Sequence, residues 1–321
     1  MTQHEPLKNR LIPLALAAVF LLCAPSFAGT LTWDPGMHHL GLRLDGETVW
    51  RFNYGDDTAK PYFHPVAVPG AGTLTWKSPE DHPWHHALWF SWKFINGVNY
   101  WEESRDTGQS AGITAWRGVT VTTKPDFSAK IVMVLEYHLP GEAPLLTEHR
   151  TVSISAPNPQ RGYAMDWTCA FTAGDKEVLL DRTPLPHEPN GKSYGGYAGL
   201  SVRFAEEFKD WRIADSEGQI KEPAERIRVP ARAVDYSGTL NGKEAGIAII
   251  DHPENLNAPS PWYIIVSPNG PMRYFSPAVI QQQPHKMAPH DSFTLRYRVI
   301  VHPGKLNPAA LLAEHKAFAR K

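Results

Sequence analysis

YAMDWTCAFTA, residues 163–173, alternates apolar and polar side chains with period two over eleven positions. That is the repeat of a strand with one face buried, because successive side chains of an extended chain point to opposite sides. The same alternation recurs in LGLRLDG (40–46), GVTVTT (118–123), KIVMVLEYHL (130–139), RTVSISA (150–156), LSVRF (200–204), GIAIID (246–251), WYIIVS (262–267) and FTLRYRVIVH (293–302). These runs are short, rich in Val, Ile, Thr and aromatics, and separated by Pro- and Gly-containing segments, as strands are. Asn241-Gly242 between two of them reads as a hairpin turn. Helical periodicity is nearly absent before the C-terminus. There Asn307 can cap, Pro308 suits the first helical position, and AALLAEHKAFARK follows. A second short helix is expected around 205–211. The expected fold is all-β: a large antiparallel β-sandwich with a C-terminal helix, forming a single domain over 29–321.

The chain opens with a basic stretch holding Lys8 and Arg10, then LIPLALAAVFLLC, then APSFA. An apolar run of that length is too short to span a bilayer and fits a secretory signal peptide with a cut after Ala28. The expected location is therefore the periplasm or the exterior. Cleavage would leave Cys169 as the sole cysteine, so no intrachain disulfide is available. The whole chain carries 32 basic and 33 acidic side chains. Such a balance offers no footprint for nucleic acid, and no later segment reads as membrane-spanning.

The chemistry concentrates in DHPWHHALWFSWKFINGVNYWEE, residues 81–103. Regular alternation would put His86, Leu88, Phe90 and Trp92 on one face and His85, Ala87, Trp89 and Ser91 on the other, so one of the two adjacent histidines would face a cleft. Asn96-Gly97 reads as a turn, and VNYWEE as a return strand that brings Glu102 or Glu103 near His85 or His86. A carboxylate beside an imidazole fixes its tautomer and tunes its pKa for acid–base work. The competing reading is packing, with hydrogen-bonded histidines at a strand entrance and indoles in the core. A metal site is a third reading; imidazole suits it, yet HExxH and CxxC spacings are missing and ligands would have to come from His187, His252 or His302. No cofactor is expected.

Other candidates lie further along the chain. Glu148 and Arg150 share a strand face, either as a surface ion pair or, in a cleft, with Arg150 as a ligand-binding fork. The loop DRTPLPHEPNGKSYGG (181–196) contains G-K-S-Y-G, which matches a nucleophile elbow in letters but follows no strand–turn–helix pattern. It reads instead as a loop presenting Tyr194. Asp-His-Pro recurs at 251–253, placing His252 near Trp262 at strand margins. With 11 tryptophans in the chain, and with His, Glu and Arg among them, the composition suits a carbohydrate ligand.

KPYFHPVAVPGAGTLTWKSPEDHPWHHALWFSWKFINGVNYWEE (60–103) resembles the signature of a bacterial family designated DUF6807. The resemblance continues in YGGYAGLSVRF (194–204), DYSG (235–238), GIAIIDHPENLNAPSPWYI (246–264) and RYRVIVHPG (296–304). Many members read DHPHHRG where this chain has DHPWHHA, so Trp84, His86 and Ala87 stand in place of His, Arg and Gly. The resemblance implies a galactose-mutarotase-type β-supersandwich, and members are common in bacteria that degrade polysaccharides. The label methane oxygenase PmoA, often attached to the family, does not suit this chain, because a membrane subunit of that kind needs several spanning helices. The expected function is an exported carbohydrate-active enzyme of mutarotase, epimerase, lyase or hydrolase type. His85, His86, Glu102 and Glu103 are its candidate acid–base groups. His82, Trp89, Arg150, Tyr194, His252 and Trp262 are candidate binding groups. A glycan-binding module without catalysis is the alternative.

Overall fold

The computed structural model describes Met1 and residues 29–218, 220–221, 225–267 and 270–321. The expected leader over 1–28 thus lies outside the described residues, apart from Met1. Among the described residues the chain forms two large antiparallel sheets, a small third sheet and one helix. The first sheet runs in spatial order Leu31–Gly36, His39–Leu44, Glu47–Asn53, Tyr62–Val68, Leu88–Ser91, Gly199–Arg203, Arg273–Pro277, Pro261–Val266 and Arg226–Pro230. The second runs Ile220–Lys221, Lys209–Asp215, Ala233–Leu240, Lys243–Asp251, Ser292–Pro303, Tyr163–Ala173, Leu146–Ile154, Ala129–His138 and Ile113–Thr123. Every alternating run named above falls on one of these strands.

The period-two pattern explains the sandwich. Along Tyr163–Ala173 each odd-numbered residue is buried and each even-numbered one is more open. Met165, Trp167, Cys169 and Phe171 therefore project from the second sheet toward the first. Phe63 meets Trp167 with ring centroids 5.6 Å apart, and Phe90 meets Phe171 at 5.5 Å. Asn241-Gly242 does join two paired strands, with φ of 50° and 74°. Left-handed values at both central residues make a turn whose twist matches that of the strands.

The terminal helix spans Pro308–Phe318, and the Asn307 side chain accepts a hydrogen bond from the Ala310 N–H. Leu311 and Phe318 cover Ala214, Ala233, Ala248 and Ile250 on the outer face of the second sheet. The helix expected around 205–211 is absent: a turn at 206–207 leads directly into the strand Lys209–Asp215. The buried Phe208 stacks on Phe204 with centroids 5.0 Å apart, so tertiary packing holds this stretch extended.

The central strands of the first sheet are buried on both faces. Leu88–Ser91, Gly199–Arg203 and Pro261–Val266 have no exposed residue. Leu88, Phe90, Leu200, Val202, Trp262 and Ile264 point into the sandwich. Trp89, Tyr263, Ile265 and Tyr274 point out of it, into a second aromatic cluster. What covers that outer face is the candidate site.

Candidate functional site

Three stretches cover the outer face. Residues 78–87 fold into a compact turn, closed by backbone bonds from His85 N to His82 O and from Ser78 N to His85 O. The hairpin Phe94–Ile95 and Val98–Asn99 turns at Asn96-Gly97, and the chain then crosses back over the sheet. VNYWEE is not a full return strand: pairing stops at Asn99, whose Oδ1 accepts the backbone N–H groups of Trp101 and Glu102. The loop 182–198, between strands Val178–Asp181 and Gly199–Arg203, supplies Tyr194 and Tyr197.

These segments enclose a cavity of about 420 Å³. Its wall carries His82, Trp84 and His85 from the first stretch, Trp101 and Glu102 from the second, and Tyr194 and Tyr197 from the third. The sheet contributes Arg226, Tyr263 and Tyr274. A mostly aromatic pocket with a few convergent polar groups is the usual form of a small-molecule site.

The two histidines separate for a reason that strand parity did not contain. Ala87 has φ of +67°, a left-handed value that breaks the extended run before Leu88. Glycine reaches such φ without strain, whereas the alanine here is held in it by the turn. The reversal spares His86 the sandwich interior that parity assigned to it. His85 takes the cavity side, its ring 4.6 Å from His82, 5.2 Å from Trp89 and 5.5 Å from Tyr274. His86 turns sideways to Glu103, with Nε2 3.0 Å from Oε2, and does not line the cavity.

The carboxylates divide likewise. Glu103 is buried between His86 and Lys60, and Lys60 Nζ also donates to the Trp101 carbonyl. Burial pushes the Glu103 pKa up, but hydrogen bonds and charge from His86 and Lys60 outweigh it and hold the carboxyl below its ordinary range. Glu102 faces the cavity. Its Oε2 accepts from Lys93 Nζ and Asn99 Nδ2, and its Oε1 from the Tyr197 hydroxyl at 2.9 Å. Oε1 thus keeps a spare lone pair.

Behind His85 lies a charged support. Arg203 reaches both oxygens of Asp81 through Nη2, each at 2.8 Å, and places Nη1 3.5 Å from His85 Nδ1. A guanidinium only donates, so His85 Nδ1 accepts and the ring proton sits on Nε2. Burial, then the nearby His82 and Arg203, lower the His85 pKa well below its ordinary 6.5. His85 is therefore a neutral imidazole whose Nε2–H makes no hydrogen bond among the described residues.

Three expected binding residues lie elsewhere. Arg150 is inside the sandwich, where Nε and Nη2 clamp Glu148 at 2.6 and 2.9 Å and Tyr137 donates to the same carboxylate. Neither a surface pair nor a cleft fork describes it, because alternation along Leu146–Ile154 points both side chains inward. Trp262 is fully buried, stacked on Phe275 at 5.9 Å, with Nε1 donating to the Ala231 carbonyl. His252 packs its ring 5.3 Å from Phe318 of the helix. The two Asp-His-Pro turns therefore do not share one cleft. Trp89 lies beneath the cavity rather than on its wall, 5.5 Å from Trp101. Ser193 sits in the 182–198 loop between two strands, without the helix that a nucleophile elbow needs. Among the described residues no group of three or more His, Cys, Asp or Glu side chains could hold a metal ion.

Asp251 of the second turn has a separate task. Its carboxylate accepts from Ser260 N and Asn255 Nδ2, at 2.7 Å each, and pins the loop 252–260. Burial raises its pKa from 3.8 to about 6 despite those bonds. The folded state then holds this proton more tightly than the unfolded one, so the contribution is full at low pH and lost as pH rises from about 4 through about 6. The loss amounts to about 3 kcal/mol at most. In urea unfolding, the stability gap between wild type and Asp251→Asn should narrow from pH 4 to pH 7; a pH-independent gap would refute the assignment.

Sequence reasoning passed over Lys60, Lys93, Arg203, Tyr197 and Arg226. A signal existed for two of them. Lys93 in WFSWKFI and Arg203 in LSVRFA are lone charges inside apolar runs, and a buried charge requires a partner.

The family model for DUF6807, described as a family of unknown function, matches residues 39–316. The chain belongs to that family. Among solved structures it is similar to a candidate aldose 1-epimerase from Klebsiella pneumoniae subsp. pneumoniae, at 9% identity and a TM-score of 0.45, over 88% of this chain and 83% of that one. It is also similar to a protein of Synechocystis sp. PCC 6803, at 9% identity and a TM-score of 0.33, over 85% of this chain and 96% of that one. No sequence among the curated proteins matches it. Among the described residues of this DUF6807 member, no helix is long and apolar enough to cross a membrane.

Proposed function

We propose that this DUF6807 protein is an exported carbohydrate-active enzyme whose substrate occupies the aromatic cavity beside His85 and Glu102. The observation that carries this reading is the placement of a neutral imidazole donor and a carboxylate with a spare lone pair on one aromatic wall. Indole and phenol rings stack on the C–H faces of a sugar ring, while polar groups meet its hydroxyls. The Glu102 carboxylate accepts a proton from the sugar. The His85 Nε2–H donates to an oxygen that gains charge, an assignment open to a neutral imidazole whose other nitrogen already accepts. Opening a hemiacetal, eliminating across a uronate and hydrolysing a glycoside all use such a pair.

One observation favours the rival reading, a glycan-binding module. Glu102 already receives three donors, one of them the Lys93 ammonium, so most of its acceptor capacity is engaged by the wall itself. A proton-NMR time course on residues 29–321 with monosaccharides, uronic acids and oligosaccharides separates the two. Anomeric exchange, new reducing ends or new vinylic protons are the expected result, each lost in His85→Ala. Ligand broadening without any reaction would move the protein to the binding class. Silence on both counts would reject the sugar reading altogether.

A further inference from the structure

The cavity wall contains two groups that the acid–base reading does not use. Among the described residues the Tyr263 hydroxyl, in a residue only 2% exposed, and the buried Arg226 Nε each lack a hydrogen bond of good geometry, although the Arg226 guanidinium lies against that hydroxyl. Both residues line the cavity. They lie on adjacent strands: Arg226 pairs in register with Ile265, and Arg228 with Tyr263, so all four side chains share the outer face. Leaving a polar group buried and unpaired costs about 1–3 kcal/mol, more when it is charged. What distinguishes these two from the unpaired core atoms is that both face the cavity and offer donors to an acceptor placed there.

Charge points the same way. Glu102 is offset by Lys93, and Asp81 by Arg203. At the Tyr263 end, Arg226 donates through Nη1 to Glu225, whose side chain is 60% exposed at the rim. Arg228 has no carboxylate partner among the described residues. It donates only to the carbonyls of Ser193 and Gly195, with its guanidinium carbon 5.0 Å from the centre of the Tyr263 ring. Two guanidinium groups thus face one exposed carboxylate. Of the lining residues, His82 also has a buried nitrogen outside hydrogen-bond geometry, but its Nδ1 has Asp81 Oδ2 3.0 Å away. The unmet demand at the Tyr263 end is for an acceptor.

We infer that the ligand is an anionic sugar, whose negative group docks between Arg226 Nε–H and the Tyr263 hydroxyl. This rests on the carbohydrate reading above and narrows it. A uronic acid carboxylate fits a guanidinium edge and one hydroxyl donor, and a sugar phosphate shares that chemistry.

Calorimetric titration of residues 29–321 tests it with matched sets: glucose, glucuronate and glucose 6-phosphate, then galactose, galacturonate and galactose 6-phosphate. In at least one set an anionic member should bind about tenfold or more tightly than the neutral one. That ratio should fall to about twofold or less in Arg226→Gln, and part of the way in Tyr263→Phe, which keeps the ring under Arg228 and removes only the hydroxyl. Unchanged melting temperatures exclude misfolding as the cause. If phosphate outbinds carboxylate, the anion site stands with phosphate as its occupant. Neutral members binding as tightly as their acids would overturn the inference and leave the carbohydrate reading intact. No binding by any member would overturn both, and a preference for acids that survives Arg226→Gln would remove Arg226 from the site.

Discussion

Arg150→Met should lower the unfolding free energy by about 3–5 kcal/mol, enough to consume much of the stability of an ordinary domain. The cause is not the loss of attraction as such. Glu148 has no exposed surface and accepts from Arg150 and Tyr137, with the Cys169 thiol also beside it. Without the guanidinium, a carboxylate remains buried among Met133, Trp167 and Phe171 with only neutral donors beside it, the Tyr137 phenol and the Cys169 thiol. It must then take up a proton or draw in water. Replacing both partners, Glu148→Leu with Arg150→Met, should recover most of the loss, because two apolar groups of similar volume leave nothing unpaired. Urea denaturation of the two single variants and the double variant closes the cycle. A single variant as stable as wild type would mean that the pair is solvated, contrary to its position. Sugar affinity of the folded Arg150→Met protein should equal that of wild type, since Arg150 does not line the cavity.

His85→Ala and Glu102→Gln should each reduce the turnover found by NMR by about 10²–10⁴-fold, the usual worth of a positioned acid or base. Ligand affinity should change much less, because the aromatic wall remains. His86→Ala should behave differently. Its Nε2 serves Glu103, and Glu103 and Lys60 hold the Trp101 backbone. Loss of stability, with a smaller effect on rate, is the expected pattern there. The pH profile separates the histidines further. His85 is held neutral by burial and by the Arg203 guanidinium, so the wild-type rate should not fall as pH drops through 6.5. Loss should begin only at lower pH, where His85 gains a second proton and its support by Arg203 turns to repulsion. A limb centred near 6.5 and abolished in His85→Ala would show a solvated imidazole and reject this tautomer assignment.

Legibility from the sequence differed between fold and site for a physical reason. Strand alternation is local: burial of one face imposes period two on neighbouring residues, and YAMDWTCAFTA reports it without knowledge of its partners. The capped C-terminal helix was equally readable, since Asn307 and Pro308 act on the backbone beside them. The site was legible only as a neighbourhood. DHPWHHALWFSWKFINGVNYWEE does supply His85 and Glu102 to one cavity, yet the turning of His86 aside to Glu103 depends on a left-handed residue at Ala87 that alternation does not contain. Arg150 and Trp262 misled for the converse reason: a charge or an indole on an alternating strand looks the same whether its face meets solvent, a cavity or another sheet.

By itself, then, the sequence determined that this chain folds into antiparallel sheets with one terminal helix, and that its polar aromatic chemistry gathers in residues 81–103. Those properties follow from contacts between near neighbours and from backbone preferences. Tertiary structure alone decided which face of the first sheet is roofed over, and that Tyr197, Arg226 and Tyr263 meet His85 and Glu102 across long stretches of chain. It also decided that Lys60, Lys93 and Arg203 would be spent on holding that wall in place. These pairings depend on the order in which strands lie in the sheet, a long-range choice that no single segment encodes.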